Sequence, residues 1–235
     1  MRLNQSNLDL LASALEGMYG SAEAESRTLD QDRAVLDEVE GDPLDILLAT
    51  VLSQATSDRN SARTYRALKE RFSGWEEVMK APVSQVEEAI REGGLSGQKA
   101  GRIKEMLQAI FKDRGWLSLD FLKDWDTREV FGYLTSFKGV GAKTAACVLL
   151  FGLGRPSFPV DTHVFRVMRR LGMAKGSKTP GGLQAAVEGI IPRGMEYDLH
   201  INLIRHGRRT CGSRNPRCGD CALRPRCEYG KKKAP

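Results

Sequence analysis

The sequence predicts an all-α protein, and two observations carry that prediction. Most of the chain has helical periodicity with glycine and proline between the segments, and no region alternates apolar and polar residues for long enough to predict a β-strand. The chain has 235 residues, of which 41% are hydrophobic. That length is enough for one large domain or two small ones with a sizeable buried core.

The helix with the clearest start is predicted from Pro43 to about Leu52. Proline suits the first turn of a helix because the N–H group that it lacks has no partner there, and the residues that follow are strongly apolar. An amphipathic helix is predicted over residues 57–72, and Ser84 is expected to cap a short one over 86–91. Gly93-Gly94 then interrupt the helical pattern.

The second half of the chain is predicted to be helical by the same signals. Asp126 or Thr127 caps one helix, Pro180 begins another, and changes in periodicity mark the rest. These helices are predicted over residues 99–112, 127–136, 143–151, 162–171, 180–190 and 197–207.

The overall charge fits a polyanionic partner without requiring one. The net charge is +6 and the pI is about 9.1, values that a merely basic surface also produces. No stretch approaches the roughly 18 apolar residues that would span a bilayer, and the first residues do not have the pattern of a secretory signal. We expect a monomeric cytoplasmic protein, associated with the nucleoid if the source is bacterial, with no membrane partner.

Four of the five cysteines are clustered as Cys211-x6-Cys218-x2-Cys221-x5-Cys227. The residues between them are mostly polar, so a metal centre is needed to order this loop. Zinc favours two Cys-x2-Cys pairs with a longer spacer, whereas a compact loop around one cubane suits an iron–sulfur cluster. We predict iron–sulfur, with zinc as the alternative, and interpret Cys147 as a buried small hydrophobe.

Lys138-Gly139-Val140-Gly141 predicts a tight turn between two helices. Its glycines would leave backbone N–H groups exposed beside a helix N-terminus, where a phosphate binds without sequence readout. The alternative is a helical hairpin without a ligand. Lys143 follows, in the first turn of an otherwise apolar helix, where the helix dipole disfavours a cation. We interpret it as a nucleophilic amine, with a phosphate-binding or solvated lysine as the alternative.

Asp161 precedes the predicted helix over 162–171 in the position of an N-cap. Capping alone would explain it, but a carboxylate fixed at this place can also serve as a charge that faces a reacting group. His163 is interpreted as a surface or phosphate-contacting residue.

Taken together, these segments resemble endonuclease III and its helix-hairpin-helix glycosylase superfamily over nearly the whole chain after about residue 30. The matching motifs are Leu-Ser-Gln-Ala-Thr-Ser-Asp at 52–58, Gly-Leu at 94–95 with Lys-Ala at 99–100, Gly-Val-Gly-Ala-Lys-Thr-Ala at 139–145, Val-Asp-Thr-His-Val-Phe-Arg at 160–166, and the four clustered cysteines.

The resemblance implies two helical lobes with a DNA-binding cleft. Residues 36–155 would form a six-helix barrel with the helix-hairpin-helix motif, and residues 1–35 with 156–235 would form the lobe that carries a [4Fe-4S] cluster on the four cysteines. The implied activity is that of a bifunctional DNA glycosylase and AP lyase of base excision repair. Its partner would be double-stranded DNA with oxidised pyrimidines or abasic sites.

The resemblance also implies roles for individual residues. Lys143 would attack C1′ of a flipped-out nucleotide to form a Schiff base, and Asp161 would be the essential carboxylate; β-elimination would then cut the strand 3′ to the lesion. Residues expected to contact DNA are Gln54, Leu95, Lys138, Gly139, Val140, Gly141, His163, Arg214 and Arg217.

Leu95 is the expected apolar wedge that fills the gap left by the flipped base, although it could instead pack between helices. The family usually has glutamine two residues after the serine of the Leu-Ser segment, where this chain has Ala55 and carries Gln54 one residue earlier. Because alanine is too short to reach into the gap, Gln54 or a neighbour must substitute. We therefore predict weaker discrimination by the opposite base.

Two other functions compete with this interpretation. A monofunctional glycosylase of the same fold would activate water with the aspartate and would not carry Lys143. A non-catalytic DNA-binding or redox module would not need Lys143 and Asp161 together.

Overall fold

The computed structural model describes residues 1–21, 39 and 41–232 of the chain. The all-α prediction is confirmed, and no β-strand occurs among these residues. The helices are α1 (Gln5–Tyr19), α2 (Pro43–Leu52), α3 (Asp58–Arg71), α4 (Trp75–Lys80), α5 (Val83–Ala89), α6 (Ser96–Arg114), α7 (Thr127–Ser136), α8 (Ala142–Cys147), α9 (Thr162–Leu171), α10 (Pro180–Val187) and α11 (Glu196–Arg209). Short 3₁₀ turns lie at Arg91–Gly93, Asp120–Asp124, Arg224–Arg226 and Gly230–Lys232, and a π-helical turn at Val148–Gly152.

The described residues divide into two compact units. One contains residue 39 with residues 41–155, and the other contains residues 1–21 with 156–232. The N-terminal limit of the predicted barrel domain, residue 36, lies outside the described residues, so the domain assignment stays a prediction. No described helix is both long enough and apolar enough to cross a membrane.

Helix α2 is the centre of the core in the unit of residues 41–155. A helix that is apolar on all sides must be buried on all sides, and α2 packs against α3, α6, α8 and the π-helical turn that follows α8. Its polar Asp45 is half-buried, and its carboxylate accepts a hydrogen bond from the Tyr65 hydroxyl at 2.8 Å and another from the Trp75 indole N–H. These bonds, together with the ammonium group of Lys69 at 3.4 Å from Oδ2, satisfy the charge of this carboxylate.

The helix before the hairpin begins where the sequence predicts, whereas the helix after it ends early. Asp126 and Glu129 form a reciprocal capping box at the start of α7. Helix α8 is shorter than the predicted helix over 143–151, since it ends at Cys147 and continues as the π-helical turn Val148–Gly152.

In the unit of residues 1–21 and 156–232, α11 packs against both α1 and α9. The core between them contains Leu11, Val164 and Leu203. A Cβ atom on Gly207 of α11 would lie 2.9 Å from Cβ of His163, so the glycine allows a close approach of the two helices.

Several predicted helix boundaries are wrong or missing. Helix α1 was not among the predicted ranges, and α6 begins at Ser96 rather than at residue 99. The helix predicted over residues 86–91 with a Ser84 cap begins at Val83, after Pro82, without a side-chain cap, and ends at Ala89. Proline fixes the backbone before Ser84 can act as a cap. Helix α4 was not predicted, because its six residues have neither a side-chain cap nor a long periodic pattern.

Candidate functional site

The hairpin between α7 and α8 has the geometry of a turn that presents its backbone. Gly139 has a φ of +87°, and a Cβ atom there would lie 2.8 Å from Cδ of Arg102. Val140 is buried and donates its N–H to the carbonyl of Phe137 at 3.0 Å. Gly141 begins α8 without a side-chain cap. The turn therefore places the backbone of Gly139 and Gly141 next to the start of this helix.

Two lysines flank this turn, and they differ in their surroundings. Lys138 is exposed, and its Nζ lies 3.9 Å from a carboxylate oxygen of Glu105, a surface pair of little energetic weight. Lys143 is the second residue of α8 and is half-buried. Among the residues that the structure describes, its ammonium group makes no hydrogen bond or ion pair.

Asp161 is the N-cap of α9, and the sequence-based capping assignment is correct. Its Oδ1 accepts the N–H of Val164 at 2.7 Å. The carboxylate is half-buried, and only its Oδ1 takes part in this capping hydrogen bond. His163 is half-buried beside it, with Nδ1 3.1 Å from Nη2 of Arg166.

The two loops expected to fill the gap in DNA lie side by side in the structure. Ala55 and Leu95 both have a left-handed φ of 52°, and a Cβ atom on Gly94 would lie 3.7 Å from the carbonyl oxygen of Ala55. Leu95 is 55% exposed, so it does not pack between helices. The Gln54 side chain donates to the Gly139 carbonyl at 3.0 Å and so contacts the hairpin. The expected weak discrimination by the opposite base stays a prediction.

The four clustered cysteines line one cavity in the unit of residues 1–21 and 156–232. All four are half-buried and none forms a disulfide. Among the described residues, no three histidine, cysteine, aspartate or glutamate side chains are arranged to ligate a single metal ion. A zinc ion needs its four ligands about 2.3 Å away, whereas a cubane binds one thiolate at each of four separate iron atoms.

Hydrogen-bond donors point at the sulfur atoms of this cavity. They come from α9 and from residues 211–230, which are called the cysteine loop below. Arg170 donates from Nη1 to Sγ of Cys211 at 3.3 Å, and the N–H of Gly230 donates to Sγ of Cys227 at 3.3 Å. Such N–H groups stabilise negative charge on thiolates and on a cluster. The polar surroundings therefore fit a thiolate-ligated centre.

Two arginines of α9 hold the loop that begins at Cys211, and the sequence did not reveal this role. Arg166 donates to the carbonyls of Gly207 and Cys211, at 2.8 and 3.1 Å. Arg170 donates to the carbonyl of Gly212 at 2.7 Å and to that of Ser213 at 3.1 Å. Burial lowers the pKa of Arg166, and the neighbouring Cys211 opposes that shift. Their i, i+4 spacing, which places both on one helix face, was the one available signal.

A buried polar network lies behind the same cavity. The Tyr19 hydroxyl is 2.7 Å from Oγ1 of Thr210 and 3.0 Å from Nδ1 of His206, whose Nε2 is 3.7 Å from Sγ of Cys221. Burial lowers the pKa of His206 to about 4 and raises that of Tyr19. Both side chains are therefore neutral at pH 7, so Tyr19 of α1 is connected to Cys221 through the uncharged ring of His206.

The two arginines predicted to contact DNA from the cysteine loop are both exposed. Arg217 donates from Nη2 to the carbonyl of Arg209 at the end of α11. Arg214 lies next to Asn215, which has a left-handed φ of 47°. Their contact with DNA stays a prediction.

Comparison with known proteins identifies the family. Residues 48–193 match the family described as HhH-GPD superfamily base excision DNA repair proteins. The chain belongs to this superfamily. It is 34% identical over 194 residues to endonuclease III of Thermotoga maritima, an alignment that covers 83% of this chain and 86% of the relative. It is 39% identical over 165 residues, 70% of this chain, to a putative DNA glycosylase of Arabidopsis thaliana, of whose length the alignment spans 56%.

A solved structure extends the similarity to the whole chain. It is a trapped covalent intermediate of endonuclease III with DNA, with a TM-score of 0.78, 26% identity and 98% coverage of both chains. The resemblance to endonuclease III inferred from the motifs of this HhH-GPD chain is confirmed.

Proposed function

We propose that this HhH-GPD protein is a bifunctional DNA glycosylase and AP lyase of base excision repair. Its substrates would be oxidised pyrimidines in double-stranded DNA and abasic sites. The observation that carries the proposal is Lys143, an amine without a protein partner among the described residues, directly after the hairpin. The buried lysines Lys99 and Lys104, by contrast, both donate to backbone carbonyls.

The proposed chemistry uses Lys143 and Asp161 in succession. The neutral amine of Lys143 attacks C1′ of the flipped-out nucleotide, and the base leaves with the electrons of its glycosidic bond. The Asp161 carboxylate stabilises the positive charge that develops on the sugar, or accepts the proton of the attacking amine. The C1′–O4′ bond of the sugar ring then opens, with a proton transferred from the amine to O4′, and gives a Schiff base. The Schiff base makes the C2′ protons acidic, so β-elimination expels the 3′ phosphate and cuts the strand 3′ to the lesion.

The proposed DNA contacts are mostly to phosphates. The N–H groups at Gly139 and Gly141 and the cation of Lys138 would hold one phosphate at the hairpin. Exposed Arg214 and Arg217 would hold others from the cysteine loop. Such contacts fix the register of the protein without reading sequence, which suits an enzyme that must find damage in any context.

The four cysteines are proposed to hold a [4Fe-4S] cluster. Their common cavity and the N–H groups directed at two of the sulfur atoms fit this group, and the compact spacing of the four cysteines favours it over zinc. When bound, the cluster would order a polar loop that has few apolar contacts of its own. Arg166 and Arg170 would keep the loop in place by binding its carbonyls.

The proposed setting follows from the substrate. An enzyme that repairs chromosomal DNA works where that DNA lies, so we propose a cytoplasmic protein that is associated with the nucleoid if the source is bacterial. One chain contains every residue that the proposed chemistry needs, so we propose that it acts as a monomer.

A cleavage assay on defined duplexes tests the proposal. Each duplex carries one thymine glycol, one dihydrouracil, one 8-oxoguanine or one abasic site, and both base release and strand scission are followed. We expect release of the two pyrimidine lesions and scission 3′ to the abasic site. Base release without scission would indicate a monofunctional glycosylase, and DNA binding with neither reaction would indicate a non-catalytic module.

A further inference from the structure

Lys99 is a fully buried lysine without an acidic partner among the described residues. It is 1% exposed, and its Nζ donates to the carbonyl oxygens of Leu52 and Gly93, both at 2.7 Å. Burial lowers the pKa of this ammonium group to about 8. At neutral pH it is therefore still mostly charged, and both hydrogen bonds are charge-assisted.

The two carbonyls belong to the two loops that the proposed function places in the DNA gap. Leu52 ends α2, where the last carbonyls have no helical partner and the helix dipole favours a cation. The chain continues from it into Gln54 and Ala55. Gly93 ends a 3₁₀ turn and leads into Leu95. One ammonium group thus joins the residues from which both loops start.

Both loops carry a residue whose backbone must be held in place. Ala55 and Leu95 have a left-handed φ that L-residues rarely adopt, and such conformations persist where the surrounding structure fixes them. The Gln54 side chain extends the connection to the Gly139 carbonyl of the hairpin. A chain of three hydrogen bonds therefore runs from the hairpin to the loop of Leu95.

We propose that Lys99 is a positioning residue that holds the Leu95 loop and the Gln54–Ala55 loop in one fixed arrangement for insertion into the gap left by a flipped nucleotide. This proposal rests on the proposed glycosylase function. Lys99 itself touches neither the nucleotide nor the reacting atoms. Its removal affects base extrusion, because an empty or misfilled gap leaves the neighbouring bases unstacked.

Lys104 provides a matched control on the same helix. It is 9% exposed, and its Nζ donates to the carbonyls of Met79 at 2.5 Å and of Ala81, at the end of α4. The two lysines therefore make the same kind of buried interaction. The Lys104 interaction holds the junction of α4 and α5, which contains no candidate site residue.

The test compares Lys99→Met, Lys99→Arg and Lys104→Met with the wild type. Single-turnover rates are measured for removal of thymine glycol and for cleavage at a preformed abasic site. Hydrogen exchange of the free proteins is followed at residues 53–56 and 94–97. We expect Lys99→Met to slow base removal at least about 10-fold, to change abasic cleavage less than about 3-fold and to accelerate exchange in both loops. Lys99→Arg, which keeps the cation, should recover most of the rate, and Lys104→Met should leave both rates and both loops unchanged.

Several results would overturn the positioning role. These are equal slowing of both reactions, unchanged exchange in the loops of folded Lys99→Met, or failure of both Lys99 variants to fold while Lys104→Met folds. If the wild type has no activity on any lesion, the proposed function fails instead. The exchange data on the free proteins then still decide whether Lys99 joins the two loops.

Discussion

Asp161 combines a structural bond and a proposed chemical role in one carboxylate, and the two can be separated. Asp161→Asn keeps an oxygen that can accept the Val164 N–H. The variant should therefore lose less than about 1 kcal/mol of stability. Loss of the negative charge should slow base removal about 100-fold or more, equivalent to about 3 kcal/mol of barrier. Thermal unfolding and single-turnover base release measure the two effects.

Asp161→Ala serves as the comparison, since it removes the cap and the charge together. It should show the same loss of rate with an additional loss of stability. If the asparagine variant releases bases at the wild-type rate, Asp161 is only a cap.

Leu95 is exposed in a left-handed backbone conformation, which is unusual for a large apolar residue. Leu95→Ala should slow removal of a damaged base more than cleavage at a preformed abasic site, by about 10-fold in the ratio of the two rates, because only the first reaction must extrude a stacked base. Single-turnover kinetics on matched duplexes give this ratio. Equal effects on both reactions, or none on either, would contradict the wedge assignment.

At the scale of elements, the cysteine loop depends on α9 as well as on its own ligands. The wild-type protein should contain iron and inorganic sulfide in equal amounts. Arg170→Met removes the donors to the carbonyls of Gly212 and Ser213 and to Sγ of Cys211. Loss of the visible cluster absorbance in the presence of a chelator should become several-fold faster, because the loop is less firmly held.

Arg169→Met is the matched control, since Arg169 lies on the exposed side of α9. It should lose the absorbance at the wild-type rate. Zinc without sulfide in the purified protein would overturn the cluster assignment, and equal rates for the two variants would remove the role of Arg170.

The hairpin is expected to bind DNA through charge and backbone rather than through bases. Lys138→Gln should weaken binding to all duplexes alike. It should also reduce the slope of log K against log salt by about one, because one fewer counterion is released. Fluorescence anisotropy at several salt concentrations measures the slope. Lys123→Gln, a change at an exposed lysine paired with Asp120, is the control.

A Lys138→Gln effect confined to one lesion would contradict a purely electrostatic contact. So would an equal change in slope for Lys123→Gln, which would indicate only the general charge of the surface.

Across the whole molecule, several helix starts followed from a cap or a proline in the sequence, although α1 was not predicted despite its Asn4 cap. Pro43, Asp126 and Asp161 begin helices at the predicted residues. The prediction was wrong at α5. Ser84 was expected to be the N-cap, but Pro82 occupies that position and the helix begins at Val83. The fold class, the clustered cysteines and the hairpin motif were all visible in the sequence, because each depends on local chemistry or spacing.

The supporting contacts could not be predicted from the sequence. Lys99 occurs in a pattern of polar residues that would suit a solvated helix face, yet its ammonium group is buried against two carbonyls. Arg166 and Arg170 fit a basic surface equally well, but they bind the cysteine loop. Every residue has a backbone carbonyl, so the sequence does not indicate which of them accepts a hydrogen bond from a given cation. Only the tertiary structure shows this.

Borohydride trapping measures whether Lys143 forms a covalent bond with the sugar of the damaged nucleotide. Reduction during reaction with abasic-site DNA should convert the Schiff base of the wild type into a stable complex of protein and DNA. Lys143→Ala should give no such complex while it binds the same DNA with an affinity within a few-fold of the wild type. Undiminished trapping by Lys143→Ala would show that another amine is the nucleophile.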